Sequence, residues 1–356
     1  GPRQHGRGAD IALTHPATRG HRGAGGGRGG GARAAPRPGG GGGGAAPRAG
    51  RAPPVPAGGR MSEGNVRATA VLPWTQRELL RLMDVRPEGE GRYLAPAHGP
   101  TERNVVEAGQ LLGAAVVAAA KEVPHQRVTS VSMIFSRIAE HEAPLSISVE
   151  TLRTGRTFTT AQVRVYQHEK LCAAGTVLLD AGAPDLVRTT EEPPRVPPPE
   201  RLRSLAIPGA EVAGRDMRVV DDAYDPDPDR IGPPELFVWT RFRDAPGPEH
   251  LHAALLSQST THWTVAAALR PHAGFGEAMA HRSISTGITM ATITFHDEAD
   301  VSQWLLYATR ATYTGRGQAH SEGRIHTEDG RLVASYTVHA MVRGLPSNGR
   351  ASGPLL

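Results

Sequence analysis

The stretch Val105–Lys121, VVEAGQLLGAAVVAAAK, is apolar around the full circumference of a helix. Only Glu107 and Gln110 interrupt its small and apolar residues before Lys121. A helix of this kind must be buried on every side, yet this one is too short to cross a bilayer. Pro124 sets its end. The pattern therefore predicts a central helix that is wrapped by other parts of the protein.

Four β-rich segments follow this helix. They are Val128–Phe135, Leu145–Leu152, Thr157–Tyr166 and Leu171–Leu179. Their alternation, with turns at 154–155 and 168–170, predicts antiparallel strands. Upstream, Thr75–Met83 predicts a short amphipathic helix and Gly91–Ala95 a strand. We therefore expect an antiparallel sheet curled around the central helix.

The second half of the chain repeats the first. The segment His250–Leu269 predicts a second buried helix, and its end, VAAALRPH, is similar to VAAAKEVPH at the end of the first. The run Thr154-Gly155-Arg156 recurs at 314–316, and the run at 170–174 recurs at 331–335. These echoes come in the same order, so they predict two copies of one α+β unit. Two such sheets could pair edge to edge and cover their exposed strands.

Composition divides the 356 residues further. Residues 1–60 contain ten Arg and one acidic residue, so this leader has a formal charge of +9. The remaining residues have a formal charge of −4, which gives the total of +5. We predict a disordered Gly/Arg/Pro-rich leader, a first folded domain, a Pro-rich linker, a second folded domain and a disordered tail. Their bounds are 1–70, 71–182, 183–212, 213–346 and 347–356. The leader lacks the aromatic residues of an RNA-binding tail, so we expect an upstream extension or a misassigned start, and no nucleic-acid partner.

Several chemistries are excluded by missing motifs. The single cysteine, Cys172, rules out a disulfide framework and a cysteine-based zinc site. The chain has no G-x-S-x-G elbow. Gly89-Glu90-Gly91 does not extend to G-x-G-x-x-G, because residue 94 is Leu, and His168-Glu169 lacks the second His of H-E-x-x-H. No stretch reaches 18 apolar residues. We therefore expect a cytoplasmic globular protein with no metal site and no membrane partner.

A helix sheathed by a curved antiparallel sheet, present twice, resembles the double hotdog of the acyl-CoA thioesterase II family. The residues resemble that family's motifs over about 75–345, in order and with similar spacing. The matching segments are Val105–Leu112, Phe135 with Arg137, Leu152–Phe158, Phe295-His296, Trp304–Tyr307 and Asp329–Ser335.

The resemblance implies a fold, an activity and a mode of assembly. The fold is an α+β double hotdog of two antiparallel sheets, each wrapped around a buried helix. The activity is hydrolysis of a fatty acyl-CoA to free acid and CoA, with no cofactor beyond the CoA of the substrate. The assembly is a homodimer or a higher homo-oligomer. Two alternatives stay open: a non-catalytic acyl-CoA-binding protein, and an enoyl-CoA hydratase or dehydratase. The latter is disfavoured because neither helix has an Asp and a His at the required spacing.

The family holds its attacking water with an Asp, a Thr and a Gln of the second hotdog. By counting, the Asp position falls on Thr261, the Thr position near Thr286 or Thr289, and the Gln position on His339 or Val338. A threonine cannot accept the proton of water near neutral pH, whereas a histidine can. We therefore predict a catalytic set that adds one further histidine. Its members are Thr261, His262, Thr289 and His339.

Further residues are predicted to contact the substrate. Glu107 replaces the Gly of the family, and it is either a helix-borne base or an acid favoured by the helix dipole. Arg156 and Arg316 could hold CoA phosphates or flank turns at the surface. Trp263 could line the acyl tunnel or belong to the core. The predicted binding residues are Glu107, Gly109, Gln110, Arg156, Trp263 and Arg316.

Overall fold

The computed structural model describes residues 74–99, 103–207, 211–225 and 227–345. The predicted leader and tail lie outside these residues. The described helices are α1 (Gln76–Met83), α2 (Ala108–Glu122), α3 (Glu249–Thr260) and α4 (Thr264–Leu269). The first strands are β1 (Trp74–Thr75), β2 (Arg86–Gly89), β3 (Arg92–Ala95), β4 (Arg127–Phe135), β5 (Leu145–Thr154), β6 (Phe158–Gln167) and β7 (Lys170–Asp180). The later strands are β8 (Val212–Ala213), β9 (Arg215–Val219), β10 (Glu235–Phe242), β11 (Ile284–Phe295), β12 (Leu305–Gly315), β13 (Gln318–Thr327) and β14 (Leu332–Gly344).

Twelve of these strands form one continuous sheet in the order β2-β3-β5-β6-β7-β4-β11-β14-β13-β12-β10-β9. Each half of the sheet has the same strand order when it is read from its outer edge to the centre. The order is β2-β3-β5-β6-β7-β4 in the first half and β9-β10-β12-β13-β14-β11 in the second. The remaining strands, β1 and β8, form a short parallel pair. This mirrored order confirms the predicted double hotdog of two α+β copies.

The two copies meet where β4 pairs antiparallel with β11, from Met290 opposite Ile134 to Thr294 opposite Ser130. Side chains reinforce this seam: the hydroxyl oxygens of Ser132 and Thr292 lie 2.8 Å apart. The pairing satisfies the backbone groups that each half-sheet would otherwise expose at this edge. The predicted edge-to-edge pairing is therefore present.

The first central helix, α2, is buried along twelve consecutive residues from Gly109 to Ala120. Ala and Leu favour the helix intrinsically, and its lack of a polar face requires burial on all sides. It begins at Ala108 rather than at the predicted Val105, because Glu107 has an extended backbone (φ −63°, ψ 141°) and serves as the N-cap.

Two glycines allow α2 to lie directly against its neighbours. A Cβ on Gly109 would lie 2.4 Å from the carbonyl oxygen of Gln258 in α3. A Cβ on Gly113 would lie 3.0 Å from the carbonyl oxygen of Ala254 and would clash with Met83 of α1. These contacts align the start of α2 with the end of α3, so the two central helices run antiparallel.

The prediction of one continuous helix over His250–Leu269 is wrong, because the chain breaks between Thr260 and Thr264. Ahead of the break, the hydroxyl groups of Ser257, Ser259 and Thr260 donate to carbonyl oxygens of the preceding turn. Such bonds compete with the helical pattern and weaken a helix interior. Residues 261–263 consequently stand at a helix end and not within a helix.

Residues 183–207, within the predicted linker, lie along the second half of the sheet. The indole Nε1 of Trp239 donates to the carbonyl oxygen of Pro197 at 3.1 Å, and Val196 and Leu202 pack against Trp239 and Trp304. The domain boundaries themselves stay predictions. Within the described parts of the chain, no helix is long and apolar enough to cross a membrane.

Candidate active site

A cavity of about 660 Å³ opens where the start of α2 meets the end of α3. Its walls come from both halves of the molecule: Glu107 and Ala108 from the first, and Thr261, His262 and Thr286 from the second. Most of the remaining lining is apolar. The larger apolar residues are Val105, Val106, Leu111, Phe135, Ile138, Leu205, Ile207, Val265 and Ile288.

The carboxylate of Glu107 faces the second half of the molecule instead of capping its own helix. It makes no side-chain capping bond to α2. Its Oε2 accepts from the Gln258 amide at 3.2 Å and lies 3.9 Å from Nε2 of His262. The structure thus brings Glu107 together with His262, which the sequence had placed in separate predicted sets.

Gln258 orients this cluster from α3. Its Nε2 lies 3.2 Å from Glu107 Oε2 and 3.1 Å from His262 Nε2, whereas its Oε1 lies 3.5 Å from Nη1 of Arg215. A guanidinium only donates and a carboxylate only accepts, so these two neighbours fix the direction of the amide. The amide NH₂ then faces both Glu107 Oε2 and His262 Nε2.

Buried charges control the ionisation of Glu107. Burial is the largest influence and favours the neutral acid. The hydrogen bond and charge of His262, the charge of Arg215 and the hydrogen bond from Gln258 outweigh it and lower the pKa of Glu107 to about 2. The carboxylate is therefore ionised at neutral pH.

Thr261 lies in the same cavity as predicted, but its hydroxyl group is already engaged. Its Oγ1 donates to the carbonyl oxygen of Gln258 at 3.2 Å. Gly109 lies directly behind it, since a Cβ there would come within 2.7 Å of this oxygen. Gly109 therefore allows α2 to pack closely against α3, and it is not a cavity-lining residue.

The structure does not bring Thr289 and His339 into the cavity. His339 lies between Val338 and Ala340, which are buried in the core, so its side chain points to the opposite, outer face of β14. There its ring packs against His320 of β13, with centroids 4.3 Å apart. Thr289 lies at a bulge in β11, and its hydroxyl group donates to the carbonyl oxygen of His339.

Arg156 and Arg316 are exposed in hairpin turns and are not cavity-lining residues. Arg156 lies beyond the C-terminal end of α2, because Gln126 donates to the carbonyl oxygen of the adjacent Gly155. Since α2 has 15 residues, this turn is roughly 20 Å from the helix start.

Trp263 and Gln110 belong to the core. The Trp263 ring is completely buried, and it contacts the rings of His262, Tyr224 and Tyr307 edge-on. Gln110 is buried on α2, where its amide donates to the carbonyl oxygen of Pro96 at 3.4 Å. Neither side chain lines the cavity.

The rim and far wall of the cavity carry further polar groups. Three exposed arginines, Arg103, Arg137 and Arg282, lie at the rim. On the wall formed by β11, the Thr286 hydroxyl lies 3.2 Å from Nε2 of His281. Glu277 also lines the cavity, and burial raises its pKa to about 8.

Sequence reasoning missed Gln258, Arg215 and Glu277. Gln258 had a usable signal, because it precedes His262 by four residues in a predicted helix and so shares its face. Arg215 lies in a segment rich in Pro and Asp that carries no local signal for a site. Glu277 likewise has no sequence neighbour that would mark it as buried.

The fold is that of the hotdog thioesterases. Residues 97–179 match the model of the acyl-CoA thioesterase N-terminal domain, and residues 188–342 match that of the C-terminal domain. The two matches cover about two thirds of the chain. The protein belongs to the acyl-CoA thioesterase family that these two domains define.

Individual relatives agree with this assignment. Acyl-coenzyme A thioesterase 8 of Homo sapiens is 25% identical over 262 residues, which cover 67% of this chain and 80% of that protein. Acyl-CoA thioesterase 2 of Haemophilus influenzae is 24% identical over 261 residues, covering 66% and 86%. The crystal structure of acyl-CoA thioesterase II TesB2 from Mycobacterium marinum has the same fold, with a TM-score of 0.63 at 24% identity, covering 76% of this chain and 99% of that one.

Proposed function

We propose that the protein hydrolyses a fatty acyl-CoA to free acid and CoA in the cavity at the start of α2. The observation that carries this proposal is the position of Glu107. The first half of the molecule supplies a carboxylate at the place where Thr261 leaves the second half without one. The cavity therefore contains a carboxylate, a histidine and an apolar space. The reaction that we propose for these groups uses an activated water and involves neither a metal nor a covalent intermediate.

The attacking water is held between Glu107 and His262. Their facing atoms, Oε2 and Nε2, are 3.9 Å apart. With the Gln258 amide donating to Glu107, the lone pair of Nε2 is left to accept one O–H of a water whose other O–H donates to Oε2. The water oxygen adds to the thioester carbonyl carbon while its proton passes to Nε2 of His262. The ionised Glu107 stabilises the imidazolium that results. Collapse of the tetrahedral intermediate breaks the carbon–sulfur bond, and the CoA thiolate takes the proton from His262.

The N-terminus of α2 is suited to stabilise the oxyanion. The first backbone N–H groups of a helix have no partner within the helix and carry a partial positive charge. Ala108, the first residue of α2, lines the cavity beside Glu107. Its N–H can donate to the carbonyl oxygen as negative charge develops there. Thr261 does not compete for this role, since its hydroxyl group donates to Gln258.

The arginines at the rim are suited to the phosphates of CoA, and they replace Arg156 and Arg316 in our proposal. Arg103, Arg137 and Arg282 lie at the opening of the cavity, and guanidinium groups bind phosphate through paired hydrogen bonds. The acyl chain would then occupy the apolar interior. This placement puts the thioester at the polar cluster between rim and interior.

The test is release of CoA thiol from a panel of acyl-CoAs by the wild-type protein and by His262→Ala. We expect turnover by the wild type and a loss of about 10²- to 10⁴-fold in kcat for the variant. Direct binding of the same acyl-CoAs is measured in parallel. Binding without thiol release by the wild type would contradict hydrolysis and would identify a non-catalytic acyl-CoA-binding protein.

A further inference from the structure

Glu277 is a buried carboxyl group that the proposed reaction does not use. It lies in the short helical turn Glu277–Met279 and lines the main cavity together with Tyr224. Its Oε2 is shielded from solvent and has no hydrogen-bond partner among the described residues. A polar atom enclosed in this way costs free energy unless another group can pair with it.

Glu277 and Tyr224 both line the cavity, and we call this pair of polar residues the distal patch. Burial, together with the charge of Glu277, raises the pKa of Tyr224, so its hydroxyl group remains a donor. The raised pKa of Glu277 likewise leaves a carboxylic acid at neutral pH. Both groups can thus donate a hydrogen bond to an oxygen atom and accept one in return.

The distal patch lies beside α4, where Glu277 and Tyr224 also line a smaller neighbouring pocket with Ala266 and Leu269. The centroid of the Trp263 ring is 5.5 Å from that of His262 and 6.4 Å from that of Tyr224. Ala266 and Leu269 follow His262 by four and seven residues, which corresponds to roughly 6–10 Å along a helix. We therefore place a thioester beside His262 out of contact with Glu277. The part of a substrate that reaches the distal patch is a carbon of the acyl chain several bonds away from the carbonyl.

We propose that Glu277 and Tyr224 bind an oxygen substituent, such as a hydroxyl group, on the distal part of the acyl chain. The substrate class is then oxygenated acyl-CoA in preference to the plain fatty acyl-CoA of equal length. This inference rests on the proposed function for the position of the thioester. It goes beyond that function because it assigns Glu277 a role in substrate specificity.

The test uses thioether analogues of dodecanoyl-CoA, which bind without being hydrolysed, with and without a hydroxyl group at successive distal carbons. For one position of the hydroxyl group, we expect the wild type to bind the hydroxylated analogue about two- to tenfold more tightly than the plain one. Glu277→Gln keeps a donor and an acceptor and should retain the preference. Glu277→Leu should lose it and bind the plain analogue at least as tightly as the wild type does.

Two controls make the result specific. Glu298→Leu, at an exposed carboxylate, should leave the preference unchanged. Binding of CoA alone separates a contact with the acyl chain from one with the pantetheine arm. An equal loss of affinity for CoA and for every analogue in Glu277→Leu would overturn the proposal, as would an unchanged preference. Because binding needs no turnover, the absence of hydrolysis would refute the proposed function without deciding this inference.

Thermal unfolding gives an independent readout. Replacing an enclosed carboxyl group that lacks a partner by leucine should raise the Tm of the protein. A lower Tm would show that the Glu277 carboxyl already has a structural partner, and the assignment to substrate would then be wrong.

Discussion

The two ends of the α2–α3 helix pair are equivalent in the fold and different in chemistry. At one end, the start of α2 faces the end of α3, and Glu107 faces the neutral amide of Gln258 and the ring of His262. At the other end, the start of α3 faces the end of α2. There Glu249 forms an ion pair with Nε of Arg127 at 2.7 Å.

The difference shows how one architecture supports two uses of the same residue type. Glu249 has a guanidinium partner at hydrogen-bond distance, so its acceptor oxygen is satisfied within the protein. Lys121 at the same end is likewise paired with Asp84 at 2.6 Å. Glu107 instead lies 3.9 Å from its histidine, which leaves both groups able to hold a water. We call the end at Glu249 the closed end and the end at Glu107 the open end.

The largest expected effect comes from exchanging the carboxylate for an amide at each end. Glu107→Gln keeps the size of the side chain but removes the charge that we propose stabilises the imidazolium of His262. We expect kcat for acyl-CoA hydrolysis to fall by about 10²-fold or more. Glu249→Gln is the matched variant at the closed end and should retain wild-type kcat. Equal loss in both variants would show that the carboxylates act through stability alone.

The second comparison concerns a glycine at each end. Gly109→Ala would place a Cβ 2.4 Å from the carbonyl oxygen of Gln258, whereas a Cβ on Gly247 would meet no atom within 4 Å. We expect Gly109→Ala to lower the free energy of unfolding by about 1–3 kcal/mol through overpacking. Gly247→Ala should change it by less than about 0.5 kcal/mol. Denaturant unfolding of both variants measures the difference, and similar values would argue against the close helix contact.

The third comparison is the response of the open end to acid. The pKa of Glu107 is lowered from 4.5 to about 2 by folding, so its ionised form stabilises the folded state above pH 4.5. This contribution should be lost as the pH falls from 4.5 towards 2. Accordingly, the difference in unfolding free energy between wild type and Glu107→Gln should shrink across that interval. A difference that is constant with pH would mean that folding does not lower the pKa of Glu107.

The smallest effect is expected for the ion pair of the closed end. The side chains of Arg127 and Glu249 are 27% and 45% exposed, and solvent screens such pairs strongly. Glu249→Ala should therefore lower the free energy of unfolding by less than about 1 kcal/mol. A loss several times larger, measured by urea unfolding, would show that the closed end is held together by this pair.

Much of the fold was predictable because it follows from local patterns. The apolar residues of α2 and the alternating residues of the four strands that follow it predict these elements directly. The repeated turn sequences predict that the unit is duplicated. The break between α3 and α4 was not predictable from periodicity, because it arises from hydroxyl groups that bond back to the chain at Ser257, Ser259 and Thr260.

The candidate site was only partly predictable. Thr261 and His262 were found because they lie next to each other on one element. The sequence did not show which face of β14 the His339 side chain occupies, because a shift of one residue along a strand moves a side chain to the other face. Glu107 and Gln258 are 151 positions apart in the chain, so no local pattern could show that they meet.

The seam between β4 and β11 has a consequence for how such a site can arise. Two separate copies of one hotdog unit would associate with twofold symmetry, and both ends of their helix pair would then be identical. A substitution that created an open end would also create its twin. Joining the two units in one chain removes this constraint, because each half can then change alone. The fused chain can keep one end for structure while the other carries the chemistry, which are the roles we propose for Glu249 and Glu107.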